Sequence, residues 1–424
     1  MGITSALYSG VSGLNTNSQA MSVIGNNLAN TNTVGFKGAR TVFSDLLSSY
    51  VSGSGGMSQV GRGVNMSVVD NIYSQGTFES TESGLDLAIE GQGFFILKQP
   101  GNDTAYYSRA GAFRFDDSGY LVNPEGMRVQ GQAYDANGTL VPGDPSAIQI
   151  VNIGLIKGQA TTAVSLNTNL DSAEAIMASP FDVADPSTYN YSCSTQIFDS
   201  LGNPHLLTTY FCKTGDNQWD WHWSAQDNTG AILQSTGAAG QLYFTPDGVL
   251  TDTAGGTAPA AGPIIGAIPA IDWQNGTAPT AIDLTFDTTQ FYSNSTVISQ
   301  NQNGYAAGQL TNIAINNEGA VVASYSNGQQ VKVSQLMLAR FTNPNGLESA
   351  GSNTFLATNN SGPARTGLPG PELGKIYTNS LEMSNVDMGA EFVRMITVQR
   401  GFQANSKIIT TVDDMLNDLI NLKR

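Results

Sequence analysis

The chain has 424 residues, of which 40% are hydrophobic and only 12% charged, with a formal net charge of −16. That length allows several cores, and sparse charge with abundant Gly, Asn, Ser and Thr suits turn-rich β-structure better than a helical enzyme. The only lysine or arginine between Lys157 and Lys332 is Lys213, which excludes nucleic acid and anionic membranes as partners, since both require clustered cations.

The first thirty residues set Leu7, Val11, Leu14, Met21, Ile24 and Leu28 at helical spacing. No Lys or Arg precedes Lys37 and no run resembles the apolar core of a secretory signal, so export by a cleaved signal peptide is not expected. The Gly/Ser stretch from Ser52 to Ser58 predicts a flexible connection. Beyond it the pattern changes to strands separated by turns of one kind: Asp116-Asp117-Ser118-Gly119, Asp135-Ala136-Asn137-Gly138, Asp199-Ser200-Leu201-Gly202, Pro246-Asp247-Gly248 and Asn316-Asn317-Glu318-Gly319. Each lies beside β-branched or aromatic residues, as in Ala112 to Phe115 or Ala320 to Tyr325, which predicts antiparallel hairpins. The Ala/Gly/Pro-rich run from Ala254 to Ala270 predicts a long loop, and Gly266 and Pro269 break the longest apolar stretch, so no membrane span is expected. Ser361 to Gly374 leads back to a second helix, in which Met388, Met395, Phe402, Ile409 and Leu416 recur every seven residues. Val398, Val412 and Leu419 follow three of them, Phe392 lies alongside, and Glu391 and Asn405 interrupt the second row of this coiled-coil seam.

The expected fold is therefore mainly β with terminal α-helices: nested β-domains, barrel- or sandwich-like, on a coiled coil formed by the two ends. The predicted parts are 1–30 with 385–424 (helical), 31–76 with 361–384 (connecting), 77–155 with 296–360 (first β-domain) and 156–295 (inserted outer β-domain).

Side-chain chemistry offers few sites. Asp116, Asp117 and Ser118 bring oxygens together, but Gly119 comes fourth where a calcium loop of the EF-hand type needs glycine sixth, so the turn reading is preferred. Cys193, Cys212, His205 and His222 fall within thirty residues but lack the short spacing that presents two zinc ligands from one turn. Trp219, Trp221 and Trp223 share one strand face, which either stacks on sugar rings or, the favoured reading, packs a core. There is no nucleophile elbow, P-loop or dinucleotide fingerprint. No catalytic, metal-binding or cofactor-binding residue is assigned, no cofactor is expected, and the chain is read as not an enzyme.

The ends decide the reading. One narrow apolar stripe is too little burial to hold an isolated helix in water, so the stripes must pair within the chain or bundle with neighbouring copies. The stretch from Ile24 to Lys37, IGNNLANTNTVGFK, resembles the N-terminal signature of rod, hook and hook-associated proteins of the bacterial flagellum. Ser384 to Asp387, SNVD, with Gln399 to Asn405, QRGFQAN, is similar to the matching C-terminal signature. Gly91 to Phe95 and Tyr107 to Phe113 resemble the β-domain common to rod and hook subunits, and Gln300 to Tyr305 and Phe341 to Leu347 look like hook segments flanking an insertion.

The resemblance implies a structural subunit of the flagellar hook, a curved tube that transmits torque and encloses the export channel. Distal rod subunits, the nearest alternative, lack a large inserted domain; a secreted glycan-binding protein and a wall-degrading hydrolase are the others. Subunit contacts would come from Leu7, Val11, Leu14, Met21, Ile24, Leu28, Met388, Phe392, Met395, Val398, Phe402, Ile409, Val412, Leu416 and Leu419. Asn26, Asn27, Asn30, Gly35, Phe36, Asn385, Gln399, Arg400 and Asn405 carry the family signature, with Asn26, Asn27, Asn30 and Gly35 shaping the exit from the first helix. Implied partners are further copies of the chain, the distal rod, hook-cap and hook–filament junction proteins, and the flagellar type III export apparatus, with an extracellular place in the flagellum.

Overall fold

The structure, a computed structural model, describes residues 2–47, 49–53, 56–135, 138–150, 154–227, 229–235 and 239–421. Two long helices bracket the chain, α1 (Gly2–Ala29) and α2 (Met388–Asn421), and strands fill the length between them. Neither helix is long and apolar enough to cross a membrane. Asp387 starts α2, its Oδ1 accepting from the Ala390 N–H at 3.1 Å and so satisfying a donor that the first turn leaves open. The chain divides into two compact units, 1–151 with 312–323 and 331–424, and 152–311 with 324–330.

In the first unit, strand Phe94–Lys98 pairs antiparallel with Ala105–Ser108 (Ile96 opposite Tyr107), with Arg128–Ala133 and with Leu338–Arg340. Phe94, Tyr107, Phe341 and Phe355 pack edge to face, the Tyr107 and Phe341 ring centres 4.7 Å apart. The stretch expected to be a flexible connection is paired instead: 49–53 runs antiparallel to 56–60, with Ser54 and Gly55 outside the described residues. Tyr50, Val51 and Val60 are residue types of high β-propensity, which the Gly/Ser count conceals.

The second unit is a sandwich. One sheet orders strands Ile264–Ile271, Thr280–Phe291, Ala163–Asp171 and Thr296–Gln302. The other runs Tyr191–Phe198, Pro204–Gly215, Gln218–Gln226, Gly240–Phe244 and Leu250–Thr251, with Ile232–Ser235 paired beside it. Trp219, Trp221 and Trp223 are at most 3% exposed and pack with Leu166, Phe211, Leu284 and Phe286. Trp219 donates its indole N–H to Gln290 Oε1 at 3.0 Å. The indoles are therefore core, and no face remains for stacking sugar rings.

Two expectations change here. Ala254 to Ala270 is not loop throughout, because Ile264–Ile271 is a strand whose ladder slips between Ile268 and Ile271, which accommodates Pro269. Gly266, read as a break, lies where a Cβ would fall 2.3 Å from Trp221, so its lack of a side chain admits the indole. The sheets are also not antiparallel throughout: Ala163–Asp171 runs parallel to Thr280–Phe291, Leu166 opposite Phe286, and the hundred-odd intervening residues make that crossover possible.

The Asp/Asn-Gly turns share one construction. Asp116 Oδ1 accepts from the N–H groups of Ser118 and Tyr120, Asn316 Oδ1 does the same for Glu318 and Ala320, and Gly119 and Gly319 take φ of 78° and 79°. Ala136 and Asn137 of the second turn lie outside the described residues. At the third turn Asp199 is fully buried and receives the N–H groups of Leu201 and Asn203, the amides of Asn203 and Asn275, and a contact from His205 Nε2. Burial alone would raise its pKa, but these donors outweigh burial and bring it down to about 2. Because the folded value lies below the unfolded one near 3.8, this stabilisation is complete above pH 4 to 5 and is lost as pH falls toward 2. The expected loss is about 2 kcal/mol. Urea unfolding followed by tryptophan fluorescence between pH 5 and pH 2 should show that decline in the native protein and a flatter one in Asp199→Asn.

Cys193 and Cys212 are free and buried, and burial pushes their thiols up to about 12 and about 11. His222 stacks on Phe181 at 4.0 Å, burial holding its pKa down, and His205 stacks on Trp273 at 4.1 Å. Among the described residues no three of His, Cys, Asp and Glu converge as a metal cage.

Candidate subunit interface

The terminal helices pack antiparallel through a seam of small and polar residues. At Gly13 a Cβ would lie 2.6 Å from Asn405 Nδ2, at Gly10 3.2 Å from Ile409, and at Gly401 3.1 Å from Asn17 Oδ1. With α1 burying Gly10, Gly13, Thr16, Ala20 and Ile24 and α2 burying Glu391 and Val412, the axes approach closely without large side chains between them. Asn405, which interrupts the heptad pattern, thus sits in the intrachain seam against Gly13 and donates to Gly401 O, while Glu391, the other interruption, is buried and pairs with Arg394 on its own helix at 2.7 Å.

This seam consumes little of the apolar stripe. Ile24 is buried, but Leu7, Leu14, Met21, Leu28, Met395, Val398 and Ile409 are only half-buried. Val11, Met388, Phe392, Phe402 and Leu416 stay exposed, as do Val393 at 65% and Ile396 at 50%. The side chain of Leu419 lies outside the described residues.

Where α1 ends, the signature residues form a knot. Asn30 caps the last turn, its Nδ2 bonding Asn26 O while Thr33 donates to its Oδ1. Asn27 reaches across to Ala39, donating to its carbonyl at 2.7 Å and accepting from its N–H at 2.9 Å. Gly35, at φ 68°, gives its N–H to Glu382 O, and half-buried Phe36 follows it. Asn385 accepts from Gly38 N–H and donates to Ile72 O and Ser74. Gln399 and Arg400 stand apart, exposed on α2.

At the centre of the knot lies an ion cluster that the sequence did not reveal. Lys37 Nζ is 2.6 Å and Arg109 Nη1 3.5 Å from the two oxygens of Glu382, all three side chains at most 2% exposed. Glu382 also accepts from Gly76 N–H, Lys37 donates to Ser74 O, and Arg109 Nη2 donates to Gly91 O. Burial pushes the Lys37 and Arg109 pKa values down, and the Glu382 carboxylate pulls both back. The available signal was a lone glutamate in the short strand Ser380–Glu382, just before the Ser384-Asn385 motif.

Over 421 residues the chain is 37% identical to the flagellar hook protein FlgE of Salmonella typhimurium, covering 97% of this chain and 98% of that protein. It is 36% identical to FlgE of Escherichia coli over 426 residues, 99% of this chain and 100% of that one. The chain belongs to the flagellar hook protein FlgE family. FlgE of Borreliella burgdorferi matches at 37% over 448 residues, 99% of each chain. Four family profiles match parts of the chain: "Flagella basal body rod protein" at 7–37, "Flagellar hook protein FlgE/F/G D1 domain" at 88–168, "Flagellar basal body protein FlaE D2 domain" at 169–305 and "Flagellar basal body rod FlgEFG protein C-terminal" at 377–422. The crystal structure of Helicobacter pylori FlgE2 covers 72% of this chain and 100% of its own with a TM-score of 0.51 at 15% identity, a likeness of fold. In FlgE terms, the rod-protein match holds α1 and Lys37, the D1 match holds Arg109, and the C-terminal match holds Glu382, Asn385 and α2. The ion cluster therefore ties together three separately matched segments. As a FlgE-family chain this is a structural component of the flagellum, in a family not known for catalysis.

Proposed function

We propose that this chain polymerises into the flagellar hook, using apolar surface that its two terminal helices leave uncovered after packing together. The supporting observation is the exposed set on α2, Phe392, Val393, Ile396, Phe402, Ile408 and Met415. Each is worth about 1 kcal/mol if a neighbouring helix covers its exposed part, so a bundle of copies gains what a lone pair of helices cannot. On this reading 1–30 with 385–424 line an inner tube around an export channel, 31–76 with 361–384 connect it to the first β-domain, 77–155 with 296–360, and 156–295 face outward. The signature residues set the angle at which the helices leave the β-structure.

A joint that transmits torque while bending needs firm inner contacts and weak outer ones. Residues 152–311 carry thirteen carboxylates and two lysines, so like surfaces repel and lateral contact between them stays weak. The distal rod, hook-cap and hook–filament junction proteins are the proposed neighbours at the ends of the tube. The flagellar type III apparatus is the proposed route out of the cell, without cleavage of a signal peptide. These assignments rest on the family.

Negative-stain microscopy under salting-out conditions tests the reading in the full-length protein. The native chain should form curved tubes, and Ile396→Asp with Phe402→Asp should fold yet remain dispersed. Straight tubes would favour a rod-type subunit, and tubes from the doubly substituted chain would overturn the role of the helix surface.

A further inference from the structure

A cavity of about 520 Å³ opens on the first unit, with Phe94, Arg109, Arg340 and Arg365 in its wall, and a second of about 360 Å³ shares Arg340 and adds Lys375. Arg340 and Arg365 stand directly opposite each other on paired antiparallel strands, Leu338–Arg340 and Arg365–Gly367. Like charges at such a position repel. Arg340 donates only to the Glu372 carbonyl, and among the described residues no carboxylate lies within ion-pair distance of Arg340, Arg365 or Lys375. Glu372 lines both cavities and Glu90 the second, where Glu90 stands opposite Lys375 on paired strands and its carboxylate accepts from the Tyr377 hydroxyl. Deeper in the first cavity, Arg109 is 1% exposed and its buried Nε–H has no partner. Three cations against two carboxylates, with an unused buried donor, thus line one groove that stays net positive in a chain of net charge −16.

We propose that this groove receives a carboxylate-bearing surface of residues 152–311 from a second copy of the chain. Charge complementarity selects that occupant. Residues 152–311 are the strongly acidic part of the sequence, with thirteen carboxylates against two lysines, and they repel one another while being drawn to the groove. An aspartate entering it neutralises the opposed arginines, and its second oxygen can accept the Arg109 Nε–H. The contact is polar and exchangeable, unlike the apolar contacts of the helices, and it joins unlike surfaces of successive subunits head to tail.

The inference rests on the polymer reading, so the test separates the two. Native full-length protein is assembled in low salt, and a zero-length carbodiimide coupling of amines to carboxylates is mapped by mass spectrometry in polymer and monomer. Lys375 should couple to a peptide from 152–311 in the polymer alone. The Arg340→Glu, Arg365→Glu protein should assemble with a critical concentration raised about tenfold at low salt, a difference that narrows at high salt. Arg365→Lys should stay near native. Absence of tubes from the native chain both here and under salting-out conditions would sink the polymer reading itself. Tubes whose Lys375 couples only within its own chain, or an unchanged critical concentration in the double variant, would overturn the groove assignment, as would equal protection of Lys375 by inorganic phosphate in the monomer.

Discussion

Replacing Glu382 by Gln is expected to destabilise the first unit by about 3–5 kcal/mol, the cost of leaving buried charge uncompensated. Glu382 is 0% exposed and, among the described residues, is the only carboxylate in ion-pair contact with Lys37 and Arg109. The substitution preserves shape, and its amide oxygen can still accept from one donor, so the loss isolates charge. Neither cation can turn to water, since Lys37 and Arg109 have 0% and 2% of their side chains exposed. Denaturation followed by circular dichroism should show a lower midpoint for Glu382→Gln, with α1 and α2 less protected in hydrogen exchange because Asn27, Gly35 and Asn385 anchor to the same knot. If Lys37→Met is added, removing one of the stranded cations, part of the stability should return. A midpoint unchanged by Glu382→Gln would mean that the cluster is hydrated and contributes nothing.

The parts of this architecture written in local patterns were legible in the sequence. Alternation at Trp219, Trp221 and Trp223 implied a shared face and a core, and Asp or Asn followed at the fourth position by Gly implied turns, found at Asp116, Asp199 and Asn316 with the glycine at positive φ. The helix seam was not legible, because hydrophobic periodicity counts large apolar side chains, whereas the packed face is built from Gly10, Gly13, Thr16, Ala20 and Gly401. The apolar stripe is split, Ile24 and Val412 entering the seam while Val11, Met388, Phe392, Phe402 and Leu416 mark the surface left over. The Asn405 interruption reads as a flaw in a seam when it is that seam's intrachain filling. Composition misled at Ile264–Ile271, where Gly and Pro are tolerated through close packing and a ladder slip. The ion cluster was out of reach for a topological reason: its bonds span 345 and 273 residues, and one sequence carries no sign of which lysine and arginine meet a given glutamate.

Gly35→Ala is the second large effect expected, and it tests how α1 is handed to the β-structure. Gly35 has φ of 68°, where an L-residue costs about 1–2 kcal/mol. A Cβ there would also fall 2.5 Å from the Ala110 backbone N and 2.7 Å from the Arg109 carbonyl carbon. Those atoms belong to backbone beside the buried Arg109, so relief requires moving the ion cluster or breaking the Gly35 N–H bond to Glu382 O, each a further loss of about 1–3 kcal/mol. The total should reach about 3 kcal/mol, read as a fall in the urea midpoint. Gly126→Ala is the control, with positive φ but nothing within 4 Å of its Cβ position, and it should lose only the backbone part. If the two variants lose equal stability, the approach of Gly35 to Ala110 is slack and conformation alone explains the glycine. If Gly35→Ala loses more, and salting-out then yields tubes of altered curvature or none, the turn fixes the angle between the helical ends and the β-domain as well as joining them.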